Sequence, residues 1–429
     1  MISVIIPSHN RRILLQQVLD TLAEQTFPAD QFEVIVVLDG CTDESIDMLR
    51  KLSVPFSLHV IEQEPTGASA ARNHGAKEAA GDLLIFLDDD IVPVPDFIQA
   101  HINAHQGSNA PVVIGYSPAI LEENTFFSLE LRGWWEAMFR SMRQPGHRFL
   151  FSDMLSGNFS ISRDVFHTIG GFDLNFAVHE DYEFGVRLIQ AGIPFAFEPK
   201  AVGRHHEKTD MKRSLHRKYQ EGIADLQLGR MYPELIPHLL ITRLIEYSLP
   251  PSQLLRFLRF KSPKVGEWVA ELAFKALPIF EKAGTVGLWR KTLDGLLGYW
   301  YWKGVNQELT TLKEVNDFVF KNSYPAFDQN KNEIELDLSQ GVDQAEQILE
   351  RTRPNAAKIY FKKTLLGCMP SQAGAERLRA VHLRPFLAYQ LMSYVYDESA
   401  PHKVSLLPGS IEQIIAYSRT KISSTASPE

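Results

Sequence analysis

The first part of the chain alternates short apolar runs with segments whose apolar residues recur at helical spacing. Residues 4–6 suit a strand, and Ile13, Leu14, Val18, Leu19 and Leu22 then mark one face of a helix. Residues 34–38 predict a second strand, 43–52 a helix and 57–61 a third strand. The alanine-rich stretch 68–79 predicts a helix, with Gly81 just past its end. Residues 83–87 give a fourth strand, apolar throughout. Strands apolar on both faces and joined by helices predict a parallel, doubly wound sheet. Such sheets hold ligands at the carboxyl ends of their strands, so chemistry is sought there.

Further on, the pattern predicts a strand at 111–116, an amphipathic helix at 126–142 carrying Trp134 and Trp135, and a short strand at 157–162. A helix at 165–169 stops at Gly170-Gly171, another runs from 181 to 190, and 194–197 reads as a strand. After about residue 230 long helical segments rich in Leu, Phe and Trp take over. From 331 the pattern returns to strand (334–338), helix (343–351) and strand (357–361). The expected organisation is an α/β domain over 1–230, a helical region over 231–330, a small α/β appendage over 331–417 and a disordered Ser/Thr-rich tail over 418–429.

Bulk properties narrow the class. A formal charge of −8 argues against a nucleic-acid partner, which calls for a basic surplus. The two cysteines, Cys41 and Cys368, do not make a disulfide framework and point to a reducing compartment. The opening Ser3-Val4-Ile5-Ile6-Pro7 reads as a core strand and not as a signal peptide, and no apolar run is long enough to span a membrane. The expected setting is the cytoplasm.

The strand ends collect the polar groups: Pro7-Ser8-His9-Asn10-Arg11 after the first strand, Asp39-Gly40-Cys41-Thr42-Asp43 after the second, Asp88-Asp89-Asp90 after the fourth. Consecutive carboxylates repel one another, and a hard divalent cation with oxygen ligands would relieve this and could clamp a diphosphate. Alternatively the run is a solvated acidic turn capping the next helix.

Taken together with Ala71-Arg72-Asn73-His74-Gly75, Gly170-Gly171-Phe172-Asp173 and Glu180-Asp181-Tyr182-Glu183-Phe184, these motifs closely resemble the family-2 inverting glycosyltransferases, over about residues 1–210. The resemblance implies a GT-A (nucleotide-diphospho-sugar transferase, Rossmann-like) α/β fold and transfer from a nucleotide sugar, a UDP-sugar being favoured. It assigns donor binding to Pro7, His9, Asp39, Arg72, Asp88 and Asp89, with Asp39 reading the base, Arg72 approaching base and diphosphate, and the DxD aspartates reaching ribose and metal. Asp90 and His205, or His206 beside it, would hold Mg²⁺ or Mn²⁺. Asp181 is the expected catalytic base, and Gly157, Asn158 and Glu180 fall on the acceptor side. One base suffices, because inverting transfer deprotonates an acceptor hydroxyl while the metal handles the leaving diphosphate.

Two departures shape the reading. Leu38 stands where the family often has a first acid, so base recognition rests on Asp39. The Gln-x-x-Arg-Trp signature of processive synthases and their membrane spans are absent, which favours transfer of a single sugar to a hydroxyl acceptor, whether glycan, lipid-linked or small molecule. The competing classes are a nucleotidyltransferase, which would show a glycine-rich loop at the first strand, and a non-catalytic nucleotide-sugar sensor or scaffold. Between 251 and 303 nine Lys/Arg face four Asp/Glu among Trp268, Trp289, Trp300 and Trp302, a composition that suits either an anionic membrane surface or packing on the catalytic domain.

Overall fold

The structure is a computed structural model and describes residues 1–108, 110–121, 124–247, 250–321 and 332–395. The 418–429 tail lies outside the described residues. The described residues fall into two compact units, one of residues 1–143, 149–321 and 373–376, the other of residues 144–148, 332–372 and 377–395.

The first unit starts with four parallel strands in the spatial order β3-β2-β1-β4: β1 (Ile2–Ser8), β2 (Phe32–Asp39), β3 (Ser57–Gln63) and β4 (Leu83–Leu87). Every residue of β1 and β2 is buried, which explains their unbroken apolar sequence. The edge strand β3 is mostly exposed. The connecting helices are α1 (Arg12–Ala23), α2 (Ser45–Lys51) and α3 (Ala68–Glu78), and α1 buries Leu14, Leu15, Val18, Leu19 and Leu22. Pro7, Asp39 and Asp88 therefore come to one edge of the sheet, at the carboxyl ends of β1, β2 and β4.

Beyond β4 the sheet is mixed, not wholly parallel as the periodicity predicts. The chain continues through β5 (Ile91–Pro93), α4 (Phe97–Ser108), β6 (Val112–Tyr116), β7 (Ala119–Ile120), α5 (Phe126–Met142), β8 (Asn158–Ser162), α6 (Arg163–Ile169), α7 (Glu180–Gln190) and β9 (Phe195–His206). The order is β3-β2-β1-β4-β8-β6-β9-β5, with β7 paired to β9, and β8 runs antiparallel to both neighbours. Burial on both faces gives the same apolar run in either direction, so periodicity does not carry strand polarity. The strand predicted at 194–197 extends to His206, and its far end pairs antiparallel with β5 so that His205 stands opposite Ile91.

The helical part of this unit comprises α8 (Met211–Met231), α9 (Leu240–Tyr247), α10 (Pro250–Lys261), α11 (Pro263–Lys282), α12 (Val286–Val305) and α13 (Leu312–Asn316). Helices α8 and α12 meet backbone to backbone: a Cβ on Gly304 would lie 2.0 Å from the Tyr219 carbonyl oxygen, and one on Gly222 2.3 Å from that of Tyr301. Trp289 and Trp302, counted above toward a membrane surface, are core residues at 1% exposure each, whereas Trp268 is exposed. The second half of α12 is mostly buried, with Leu296, Tyr299, Tyr301, Trp302 and Val305 all inside, whereas Arg290, Lys291 and Asp294 of its first half are exposed. No helix among the described residues is long and apolar enough to cross a membrane.

In the second unit β10 (Glu333–Asp337), β11 (Ala356–Phe361) and β12 (Thr364–Met369) form a sheet in that order, with α14 (Val342–Thr352) and α15 (Ala380–Val395). Leu336, Leu349, Ile359 and Leu383 are central to its core. Arg148 belongs to this unit and donates to the carbonyls of Pro370 and Asn355.

Candidate active site

A cleft of about 470 Å³ opens at the carboxyl edge of the sheet, lined among others by Arg11, Arg72, Asp88, Asp90, Gly157, Asn158, Glu180, Asp181 and His205. The sequence scatters these residues over the chain; strand register and one buried arginine gather them.

That arginine is Arg72, 3% exposed, on α3. Its Nη2 donates to Asp88 Oδ1 at 2.7 Å and its Nη1 lies 3.4 Å from Glu180 Oε1. A buried guanidinium with two carboxylates thus joins the end of β4 to the start of α7. Asp88 sits against Gly157: the Asp88 N–H donates to the Gly157 carbonyl at 2.9 Å, and a Cβ at 157 would come within 2.8 Å of Asp88 Oδ2. The glycine is needed for close approach.

Arg11 neutralises the rest of the Asp run. Its Nη1 donates to Asp89 Oδ1 at 2.9 Å and also to Asp90. The Ser8 hydroxyl donates to Asp89 Oδ2 at 2.7 Å, so Asp89 points back to the end of β1. Burial raises the Asp89 carboxyl to about 6 despite Arg11 and Ser8, and raises Asp90 against the pull of His205 and Arg11. The repulsion that a divalent cation would relieve is thus offset in part by the chain's own arginines. Arg11 lay inside a motif without an assigned role; an arginine directly after the first strand was the available signal.

The β5–β9 pairing brings His205 Nε2 to 3.8 Å from Asp90 Oδ1, with Glu207 Oε2 at 3.9 Å from the same nitrogen. His205 lines the cleft and His206 is not among its lining residues. Among the described residues no group of three or more His, Cys, Asp or Glu is placed to hold a metal. The pair Asp90 and His205 nevertheless suits an ion whose other positions go to water and substrate phosphate, the usual habit of Mg²⁺.

Asp39 is buried and already engaged: its carboxylate accepts the N–H groups of Thr66 and Gly67, both at 2.8 Å, and the Gln63 amide at 2.9 Å. Although burial opposes ionisation, these bonds hold its carboxyl below the usual range. It fixes the turn between β3 and α3 and is not a lining residue of the cleft. His9 is exposed and its Nδ1 meets the Asp39 carbonyl; Pro7 is buried at the end of β1. Asp43 accepts from the N–H groups of Arg12 and Ser45, the first residues of α1 and α2. Asn158 is spent internally, pairing with His101, Ser117 and the Ala201 carbonyl.

Asp181, in the first turn of α7, accepts one hydrogen bond among the described residues, from the adjacent Tyr182 N–H. Enclosure by protein on all but the cleft side, and then the charge of Glu180, push its carboxyl up to about 7, with His179 and Arg217 pulling the other way. The residue before this turn, His179, has φ +63°, unusual outside glycine. Its Nδ1 lies 3.3 Å from Asp225 Oδ1 on α8, and its ring stacks on Tyr182. Sequence reading gave no role to His179; a histidine directly before Glu180-Asp181 was the only hint.

Residues 3–170 match the family model described as Glycosyl transferase family 2. The motif order and the cleft just described agree with that match, and relatives similar to this chain are named glycosyltransferases. It is similar to validoxylamine A glucosyltransferase of Streptomyces hygroscopicus subsp. jinggangensis, 29% identical over 335 residues that span 69% of this chain and 77% of that one. Similarity to the probable glycosyltransferase YdaM of Bacillus subtilis is 28% over 223 residues, 49% of this chain and 52% of that one. Among solved structures, S. aureus TarS 1-349 in complex with UDP-GlcNAc overlaps at a TM-score of 0.42 and 15% identity, covering 68% of this chain and 90% of that one. Mannosyltransferase PcManGT from Pyrobaculum calidifontis in complex with GDP-Man and Mn²⁺ overlaps at 0.45 and 16%, covering 71% and 86%.

Proposed function

We propose that the chain moves a single sugar, with inversion, from a nucleotide-diphosphate sugar (a UDP-sugar by preference) to a hydroxyl acceptor. The observation that carries this is Asp181: a carboxyl raised toward 7, facing the same cleft as Asp88, Asp90, Arg72 and His205. The acceptor oxygen attacks the anomeric carbon from the side opposite the diphosphate. As that bond forms, the bond to the diphosphate oxygen breaks, and the acceptor proton passes to Asp181. A base with a pKa near ambient pH is well matched to this step. Arg72 and Arg11 face the diphosphate, and the Asp39-tied turn, His9 and Pro7 form the nucleotide end. Asp88 and Asp89 serve the ribose side. Asp90 and His205 would hold Mg²⁺ or Mn²⁺, which when bound supplies Lewis-acid stabilisation of the leaving diphosphate. The chemistry is assigned to residues 1–230, and both cysteines are free, which suits a cytoplasmic setting. Incubation with UDP-, GDP- and dTDP-sugars tests the reading: released nucleotide supports it, and binding without release would make the protein a sensor.

One observation favours a second element, contact with an anionic membrane surface. Along α11 the exposed residues Val265 (49%), Trp268 (61%), Leu272 (48%) and Ile279 (67%) follow at intervals of three, four and seven, a single stripe. Lys264 and Lys282 are exposed at the two ends of the same helix, while Lys275 pairs with Glu271 at 2.7 Å, so the apolar stripe carries the proposal more than the charge. An apolar stripe beside lysines fits a headgroup boundary. The stripe replaces the tryptophan cluster as the reason for this proposal.

A further inference from the structure

The cleft has a wall that the donor chemistry does not use. From α8, Arg213, His216, Arg217 and Gln220 face into it at the i, i+3, i+4, i+7 spacing of one helix face, and Lys208 from the segment before α8 joins them. All five side chains offer polar hydrogen-bonding groups and none is apolar. Lys208 and Arg213 make no ion pair among the described residues, and both are exposed. Arg217 reaches Glu221 only at 3.5 Å, while Lys218 holds that carboxylate at 2.6 Å. Lys208 and Arg213, lining the cleft without carboxylate partners, have spare capacity for an anion, and Arg217 adds positive charge beside them while also facing Glu221, Asp181 and Glu180.

Beside this wall stand two tryptophans of α5. Trp134 and Trp135 pack edge to face at 4.9 Å, and Trp135 meets the His205 ring at 5.5 Å. Trp134 is half exposed and lines the cleft. An open indole face is a platform for the apolar side of a pyranose ring. Asp181 lies within the electrostatic reach of Arg72 from the donor wall and of Arg217 from α8.

We infer that the α8 face is the acceptor subsite and that the acceptor is a sugar or polyol carrying a phosphate group. The phosphate faces Lys208, Arg213 and Arg217, the ring lies against Trp134, and a free hydroxyl is presented to Asp181. This rests on the transfer reading above. Phosphate could be carried by a soluble sugar phosphate or by a lipid phosphate, and the chemistry at α8 is the same for both.

The test uses the full chain loaded with whichever of UDP, GDP or dTDP it binds, titrated calorimetrically with glucose 6-phosphate, methyl glucoside and a polyprenyl phosphate in detergent micelles. Phosphate-bearing probes are expected to bind about tenfold or more tighter than methyl glucoside, with affinity falling as salt rises. The Lys208→Gln/Arg213→Gln variant should lose that advantage and keep its nucleotide affinity. Tighter binding of the polyprenyl phosphate than of glucose 6-phosphate supports the inference and makes the source a lipid. Equal binding of all three probes overturns it. Loss of nucleotide affinity in the variant also overturns it, because the α8 cations would then serve the donor diphosphate. A wild-type protein that releases nucleotide from no donor sugar fails the transfer reading instead, a result independent of these titrations.

Discussion

The phenolic hydroxyl of Tyr301 donates to Asp225 Oδ2 at 2.5 Å, and both residues are buried. Asp225 also faces His179, the left-handed residue at the entry to α7, so a side chain of α12 braces the turn that presents Asp181. Burial raises the Tyr301 phenol well above its ordinary range, and the Asp225 carboxylate reinforces this, so the hydroxyl stays a donor. Tyr301→Phe leaves the buried Asp225 short of a partner and should cost about 1–3 kcal/mol of stability. It should lower kcat more than it changes the donor KM. Thermal melts and initial rates check this; a kcat equal to wild type in a destabilised variant would limit Tyr301 to folding. By the same geometry a chain ending at residue 230, which lacks α12, should melt well below the full chain.

Arg72 holds two carboxylates in a buried place. Arg72→Ala should destabilise by about 3–5 kcal/mol, because Asp88 and Glu180 lose their shared cation. Arg72→Lys should recover part of the stability and little of the nucleotide affinity, since an ammonium cannot bridge both acids with a fixed fork. Melting temperature and nucleotide calorimetry separate the two effects.

The proposed metal dependence assigns the ion to Asp90 and His205. Excess chelator should abolish most turnover, and Mg²⁺ or Mn²⁺ should restore it. Asp90→Asn should weaken Mn²⁺ binding in the presence of nucleotide, read by the spin resonance of free Mn²⁺. Full activity in chelator would assign charge neutralisation to Arg11 and Arg72 alone.

The proposed membrane contact is assigned to α11. The full chain should sediment with anionic vesicles and less so as salt rises, and Trp268→Ser/Leu272→Ser should release it. Equal sedimentation with neutral vesicles, or none with either, contradicts the proposal.

What was legible in the sequence follows from what each signal encodes. The parallel strands β1, β2 and β4 are apolar runs bounded by turn residues, and α5 has a clear amphipathic period, so 126–142 was read at its observed limits. The later half of β9 includes Glu198, Pro199, Lys200 and Arg204 and is only partly buried, so its pattern does not announce a strand. Yet that half carries His205 to Asp90. The run Trp300-Tyr301-Trp302 looks interfacial by composition, whereas its burial depends on Gly222 and Gly304 letting α8 and α12 approach, a contact between distant segments. Site residues were legible as types within motifs. Their pairing, such as Arg11 with Asp89 and Arg72 with Glu180, is a product of the assembled sheet.

The account turns on Asp181 as general base. Its carboxyl is raised to about 7, so the base form is lost below that pH and gained above it. The single-turnover rate should therefore climb about tenfold per pH unit on the acid side and level off above pH 7. For stability the sign is opposite. A raised carboxyl favours the folded state at low pH, and that contribution fades as pH rises through 7. Asp181→Asn should thus melt no lower than wild type at pH 8.

The most direct measurement is the single-turnover rate of Asp181→Asn from pH 5 to 9, with donor affinity determined alongside and Glu180→Gln as the neighbouring control. The account predicts a rate lower by about 10² to 10⁴ with the acid limb gone and donor affinity preserved, and a smaller loss for Glu180→Gln. A near wild-type rate that keeps its acid limb in Asp181→Asn would contradict it.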